Sequence, residues 1–148
     1  MKKTYETKIG LVLIEANDEA IQAVTITDEP VDGPENEWMK KGYQQLSEYL
    51  EGKRQQFDLP LQPQGTAFQQ KVWQALKEIP FGETRTYKEV ATAIGNVNAS
   101  RAVGNANNKN PILIIVPCHR VIGANGKLVG YGAGLPLKEQ LLTLEGAK

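Results

Sequence analysis

The chain has 148 residues, 41% hydrophobic and 23% charged, the balance of a soluble globular protein with one domain or two small ones. Its one cysteine excludes an internal disulfide framework, and one cysteine with one histidine cannot build the usual tetrahedral Cys/His zinc site. The net charge is zero, yet residues 1–62 carry 7 basic against 12 acidic residues and residues 63–148 carry 10 against 5, an asymmetry that points to a polyanionic partner for the second half.

The N-terminal MKKTYETKIG has a basic start but no apolar h-region, and the run Ile112–Val116 is far too short to span a bilayer. The expectation is a cytoplasmic protein with no membrane partner. Residues 4–28 read as a β-hairpin: Leu11 to Ile14 form one run, Asn17-Asp18-Glu19 a turn, and Ile21, Val24 and Ile26 a second run. A helix follows between Pro34 and Gly52, with Trp38, Leu46, Tyr49 and Leu50 as its apolar face and Met39 and Tyr43 beside it. The stretch Leu59–Gly65, with two prolines and a glycine, reads as a linker. The expected fold class is therefore α/β (α+β): an N-terminal hairpin-or-sheet-plus-helix domain over 1–62 and a mainly helical domain over 63–148.

In the second half, Thr66 caps a helix carrying Phe68, Val72, Ala75, Leu76 and Ile79, which Pro80 stops. Thr86-Tyr87-Lys88-Glu89 is a capping box for a short helix ending at Gly95. Asn98 is a candidate cap for another helix, Ala99 to about Asn107. Two short helices joined by a Gly-containing turn, in the most basic part of the chain (Arg85, Lys88, Arg101, Lys109, Arg120 and Lys127 against Glu89), suggest a helix-turn-helix. Its second helix carries small residues, Ala99, Ala102, Gly104 and Ala106, with Arg101 as its long basic side chain. Such a surface suits close approach to a minor groove with little demand for sequence, or tight packing on a neighbouring helix. Ile112–Val116 reads as a buried strand, Asn125-Gly126 as a hairpin turn, and the last segment as a helix from near Pro136 to Glu145-Gly146 with Leu137, Leu141 and Leu144 on one face.

Between the apolar run and the turn stand the single cysteine and the single histidine, adjacent, in Pro117-Cys118-His119-Arg120-Val121. A thiol is a nucleophile when its thiolate is favoured by a positive charge, a base or a helix N-terminus, and His119, Arg120 and a short helical piece starting at Cys118 are candidates for these. Neighbouring side chains diverge, so a water bridging Cys118 and His119 is expected rather than a direct bond, with an acid orienting the imidazole. Spacing leaves Glu145 and Glu139 both open for that acid.

Pro117–Val121 resembles the active-site motif of the O6-alkylguanine-DNA alkyltransferases. The resemblance runs from about Gly65 to Gly146, through Phe81-Gly82-Glu83-Thr84, the Tyr87 region, Arg101-Ala102-Val103-Gly104, Asn110-Pro111, the Tyr131 loop, Leu141-Leu142 and Glu145-Gly146; the N-terminal half is similar only loosely. It implies a winged helix-turn-helix-like domain that flips a damaged base out of duplex DNA and transfers its alkyl group, from O6-alkylguanine and also O4-alkylthymine, irreversibly to Cys118 in one turnover. It implies deprotonation of Cys118 through water by His119, with Glu145 behind it, and a proton or hydrogen bond from Tyr87 to the leaving guanine. Asn110 would brace the active-site turn, while Tyr131, Gly132 and the carbonyls of Cys118 and Val121 would line the base pocket. Arg101 would fill the vacated stack, and Ala102, Gly104 and Arg120 would meet DNA in the minor groove. No cofactor, no metal and a monomer in free solution are expected. Relatives that only flag lesions commonly carry tryptophan in place of the cysteine; the cysteine here favours transfer over that alternative.

Overall fold

In a computed structural model that describes all residues 1–148, the chain forms two compact units: Met1–Gln64 with Pro111–Ile115, and Gly65–Asn110 with Val116–Lys148. The chain passes from one to the other after Gln64, within the Pro/Gly-rich stretch, and the short segment Pro111–Ile115 groups with the first unit rather than the second.

The first unit contains not a hairpin but a three-stranded antiparallel sheet, β1 (Lys2–Thr7), β2 (Gly10–Ala16) and β3 (Ile21–Ile26), in that order. The first strand escapes the sequence reading because only Tyr5 of Lys2–Thr7 is buried. Alternation puts Val12, Ile14 and Ala16 of β2 into the core. Helix α1 (Glu37–Leu50), capped by Asn36, adds Met39, Leu46, Tyr49 and Leu50 to that core. Trp38 is only half-buried: its indole N–H donates to Asp18 O at 3.1 Å and Lys41 lies over its ring. Met39, expected only beside the apolar face, takes the core position expected for Trp38.

Ile112–Val116 is not a strand. Val24 N–H donates to Pro111 O and Leu113 N–H to Val24 O, both at 2.9 Å, which makes a single parallel bridge from β3 to Ile112. The chain then reverses about Ile114, whose φ is +70°, and Ile115 N–H donates to Leu113 O at 2.7 Å. That is a three-residue γ-turn of the strained hand, on a buried β-branched residue.

The second unit is built from α2 (Ala67–Lys77), β4 (Arg85–Thr86), α3 (Tyr87–Ala93), α4 (Ser100–Asn108), β5 (Val121–Ile122) and α5 (Leu135–Leu144). Thr66–Gln69 and Thr86–Glu89 form full capping boxes at the starts of α2 and α3. Ala99, not Asn98, is the N-cap of α4, without a side-chain bond. Gly95 takes φ +81° to end α3. The Trp73 indole on α2 donates to Ala106 O on α4 at 2.9 Å, pinning the helix pair α3–α4 from behind. Beside that pair, β4 and β5 form a two-residue parallel ladder, Arg85↔Val121 and Thr86↔Ile122. This has the outline of the expected winged helix-turn-helix. Asn125 and Gly126 take φ of +67° and +75°, the tight turn that their sequence signals. On α5 the buried face is Lys138, Leu141 and Leu142, continued by Glu145 at the cap, whereas Leu137 and Leu144 are half-exposed. The face is thus turned by one residue from the expected one. No helix is long and apolar enough to cross a membrane.

Candidate active site

Pro117 delivers Cys118 into the second unit. Its φ of −82° and ψ of 65°, with Cys118 N–H donating to Val116 O at 2.8 Å, make an inverse γ-turn. The ring fixes the required φ. A single 3-10 turn, Cys118–Arg120, follows and runs into β5. The cysteine is 1% exposed and the histidine 0%.

Glu145, at the C-cap of α5, is the hub of this turn. Its Oε2 lies 2.7 Å from His119 Nε2. Arg120 donates to both of its oxygens, from Nε at 2.8 Å and Nη2 at 2.9 Å, and donates from Nη1 to Ile79 O at 2.7 Å. The backbone N–H of Gly82, a residue at φ +85°, reaches Glu145 Oε1 at 3.5 Å. The structure therefore pairs His119 with Glu145 and not with Glu139, whose carboxylate meets Lys148 at 3.7 Å.

This arrangement fixes the imidazole tautomer. A carboxylate that receives the Arg120 fork only accepts, so His119 Nε2 carries the proton that lies between them. Burial lowers the His119 pKa, with Glu145 opposing that effect. The neutral ring therefore presents Nδ1 as a bare acceptor, and Nδ1 has no protein partner.

Arg120 was expected at the DNA surface. It is 7% exposed and its guanidinium is committed to Glu145 and Ile79. It belongs to the interior, because only a buried carboxylate with a bidentate cation escapes a large desolvation cost. Its charge is matched by the Glu145 carboxylate. Burial pushes the Cys118 pKa up to about 11, against downward pulls from the Asn110 side chain and from Lys138.

Around the sulfur, Asn110 Nδ2 donates to Val116 O at 2.8 Å while its side chain also hydrogen-bonds the thiol. Asn107, which the sequence reading passed over, donates from Nδ2 to Cys118 O at 3.4 Å. Tyr87, half-buried at the start of α3, donates from its hydroxyl to Val129 O at 2.9 Å. Tyr131 is buried and Gly132 exposed, and burial together with the Cys118 charge raises the pKa of both tyrosines. The Val121 carbonyl accepts from Lys138 Nζ. The three buried polar atoms without a protein partner are Asn107 Oδ1, His119 Nδ1 and Tyr131 OH, all on residues that surround Cys118. Such atoms are rare in a protein interior.

On α4, Arg101 and Ala102 are exposed, as are Lys88, Lys109 and Lys127 elsewhere on the basic stretch. Arg85 is paired with Glu83 at 3.0 Å. Gly104 faces Tyr87: a Cβ there would lie 3.8 Å from the ring. Lys138 was also missed. It is fully buried and donates to the carbonyls of Val121, Val129 and Gly130. The available signal was its register with Leu141, Leu142 and Glu145, one helical face holding two charges.

Comparison with known proteins agrees with this geometry. The family model described as 6-O-methylguanine DNA methyltransferase, DNA binding domain, matches residues 67–147, and that described as 6-O-methylguanine DNA methyltransferase, ribonuclease-like domain, matches residues 1–63. The methylated-DNA--protein-cysteine methyltransferase of Methanosarcina acetivorans is 53% identical, over 97% of this chain and 96% of its own. The crystal structure of Mycobacterium tuberculosis OGT in complex with DNA superposes with a TM-score of 0.91 at 43% identity, covering 99% of this chain and 92% of that one. That of S. pombe Atl1 in complex with damaged DNA containing O6-carboxymethylguanine gives 0.51 at 34% identity, over 56% of this chain and 79% of that one. With both halves matched in order and relatives similar over nearly their whole length, the chain belongs to the 6-O-methylguanine DNA methyltransferase family.

Proposed function

We propose that the chain repairs DNA by moving the alkyl group of O6-alkylguanine, and of O4-alkylthymine, onto Cys118 in a single irreversible turnover. The activity class, DNA-repair methyltransferase, comes with the family; the residue roles are those the resemblance implies, and the geometry around His119 and Glu145 supports the relay among them. The observation that carries them is the placement of the one thiol beside a neutral imidazole whose Nε2–H is held by Glu145, leaving Nδ1 open as a proton acceptor.

In the proposed step the Cys118 proton passes through a bridging water toward His119 Nδ1. The sulfur attacks the alkyl carbon in line, the S–C bond forms, and the C–O6 bond breaks with its electron pair going to guanine. The Tyr87 hydroxyl donates to the guanine ring nitrogen and so improves the leaving group. Asn110 holds the thiol and the Val116 carbonyl in one place. Tyr131, Gly132 and the carbonyls of Cys118 and Val121 form the base pocket. The thioether product is inert to water, which makes the protein its own reagent.

The target atom lies inside a duplex, so the nucleotide is extruded, at a cost of a few kcal/mol. Arg101, exposed in the first turn of α4, takes the vacated place in the stack, and the small Ala102 lets the helix approach the minor groove. Exposed Lys88, Lys109 and Lys127 supply sequence-independent phosphate contacts. The protein acts as a monomer, and a cytoplasmic location suits an acceptor that must stay a reduced thiol.

The test is intact mass after incubation with a duplex carrying O6-methylguanine. One added methyl, absent in Cys118→Ala, is the expected result. Unchanged mass with tight lesion binding would favour a flagging protein, a reading that the buried Cys118 disfavours.

A further inference from the structure

Asn107 is a buried amide that the transfer mechanism above does not use. It lies near the end of α4 and is 1% exposed. Asn107 and Asn110 hold carbonyls on either side of Pro117: Asn110 Nδ2 donates to Val116 O at 2.8 Å, and Asn107 Nδ2 to Cys118 O at 3.4 Å. The second bond is long for an amide donor, and Asn107 Oδ1 has no protein partner. A leucine would fill similar space without burying a polar group, so an amide here is costly unless something polar meets its oxygen.

The carbonyl that Asn107 reaches belongs to the peptide joining Cys118 to His119. Its Oδ1 lies within about 6 Å of that carbonyl, because the nitrogen and oxygen of an amide share one carbon. On the same turn, His119 Nδ1 is a second buried atom that can only accept, since the ring proton is on Nε2 against Glu145. Two obligate acceptors match the two protons of one water, and buried waters sit where they satisfy such groups. The oxygen of that water is left to accept the thiol proton, because Asn110 donates to the sulfur and S–H is the donor that remains. Tyr131 OH, the third unpartnered atom, can donate as well as accept and so does not demand a water proton.

We propose that Asn107 is a positioning residue that holds the relay water, accepting one of its protons so that the other points at His119 Nδ1 and its oxygen faces Cys118. The proposal rests on the alkyl-transfer reading and deepens it. In the relay the S–H bond breaks toward the water oxygen while one water proton passes to Nδ1, leaving a thiolate, a water and an imidazolium. The hydrogen bonded to Asn107 Oδ1 is not transferred; it fixes the orientation of the water. Without that second acceptor the water turns, and the path from sulfur to imidazole is complete only part of the time.

The first test is a high-resolution crystal structure of the wild-type protein without DNA. A water within hydrogen-bond distance of both Asn107 Oδ1 and His119 Nδ1 is the expected result. A water on Nδ1 that does not touch Asn107, or no water there, overturns the proposal. The second test uses Asn107→Leu, which keeps the volume and removes the amide. Cys118 is the one cysteine, so its S-methylation by iodomethane, followed by intact mass with Cys118→Ser as blank, reports how readily the sulfur gives up its proton. Asn107→Leu should react about tenfold more slowly at neutral pH. Its His119 Nδ1, in a protein with one histidine, should move in nitrogen NMR toward the position of an unbonded imine nitrogen, a change that loss of a purely structural contact would not produce. A rate within about twofold of wild type, or an unmoved Nδ1 resonance, overturns the proposal. If Asn107→Leu does not fold, the crystal structure decides alone. A wild-type protein that shows the bridged water but takes no methyl from O6-methylguanine DNA would refute the functional reading and leave the place of Asn107 standing.

Discussion

Glu145→Gln tests how far the Glu145 hub serves the reaction and how far it serves the fold. The substitution keeps the shape and removes the charge. It leaves Arg120, 7% exposed, without its bidentate partner, and it sets an amide before His119 Nε2 where a carboxylate stood at 2.7 Å. Breaking one side of a buried ion pair costs about 3–5 kcal/mol. For a chain of this size that corresponds to a fall in Tm on the order of 10 °C. Loss of the oriented imidazole removes the relay base, a further factor of about 100 to 10,000 in rate. Single-turnover methyl transfer from an O6-methylguanine duplex, run at a temperature where circular dichroism reports the variant folded, separates the two. A second variant, Arg120→Met/Glu145→Gln, replaces the charged pair with two uncharged groups. It should recover part of the Tm while the transfer rate stays low. If the double variant regains the rate along with the stability, Glu145 is only a brace and the relay through His119 is wrong.

Arg101→Ala should slow repair in duplex DNA and leave reaction with the free O6-methylguanine base near normal; an equal fall in both assays would show that Arg101 does not hold the flipped state. Tyr87→Phe keeps the ring beside Gly104 but removes the proton donor, so methyl transfer should drop about 10- to 100-fold with little change in duplex affinity; an unchanged rate would remove Tyr87 from the mechanism. His119 provides the pH test. Its folded pKa lies below the unfolded value of 6.5, so the unfolded chain binds the proton first as pH falls. His119 therefore makes stability fall as pH drops below about 6.5, and has no effect above it. As the one histidine, it should give a single C2–H resonance in proton NMR whose titration midpoint lies below 6.5, and a midpoint at or above 6.5 would contradict the assigned tautomer.

The local signals in the sequence were reliable where a few residues set the backbone by themselves. Thr66 and the Thr86–Glu89 box placed two helix starts, Gly95 and Gly146 two ends, and Asn125-Gly126 its turn, since each supplies a hydrogen bond or a positive φ that its neighbours cannot. The misses arose where tertiary context overrode pattern. Ile112–Val116 has the composition of a strand, but Ile114 is held at φ +70° by packing that no propensity encodes. Arg120 looked like part of a basic surface because sequence gives charge and not its neutraliser; Glu145 lies 25 residues away. The same blindness hid Lys138, a charge on the apolar face of the last helix. Cys118, His119 and Tyr87 were legible as residues; the fact that burial holds the thiol protonated was not.

That last fact has a consequence for the protein's lifetime in the cell. Burial raises the Cys118 pKa, so the resting sulfur is held mainly as the thiol. Peroxide, oxidised glutathione and stray electrophiles all require the thiolate and access to it, and burial limits both. A reagent that can be used once is best stored inert, and the same burial that makes Cys118 slow in isolation preserves it for the damaged base.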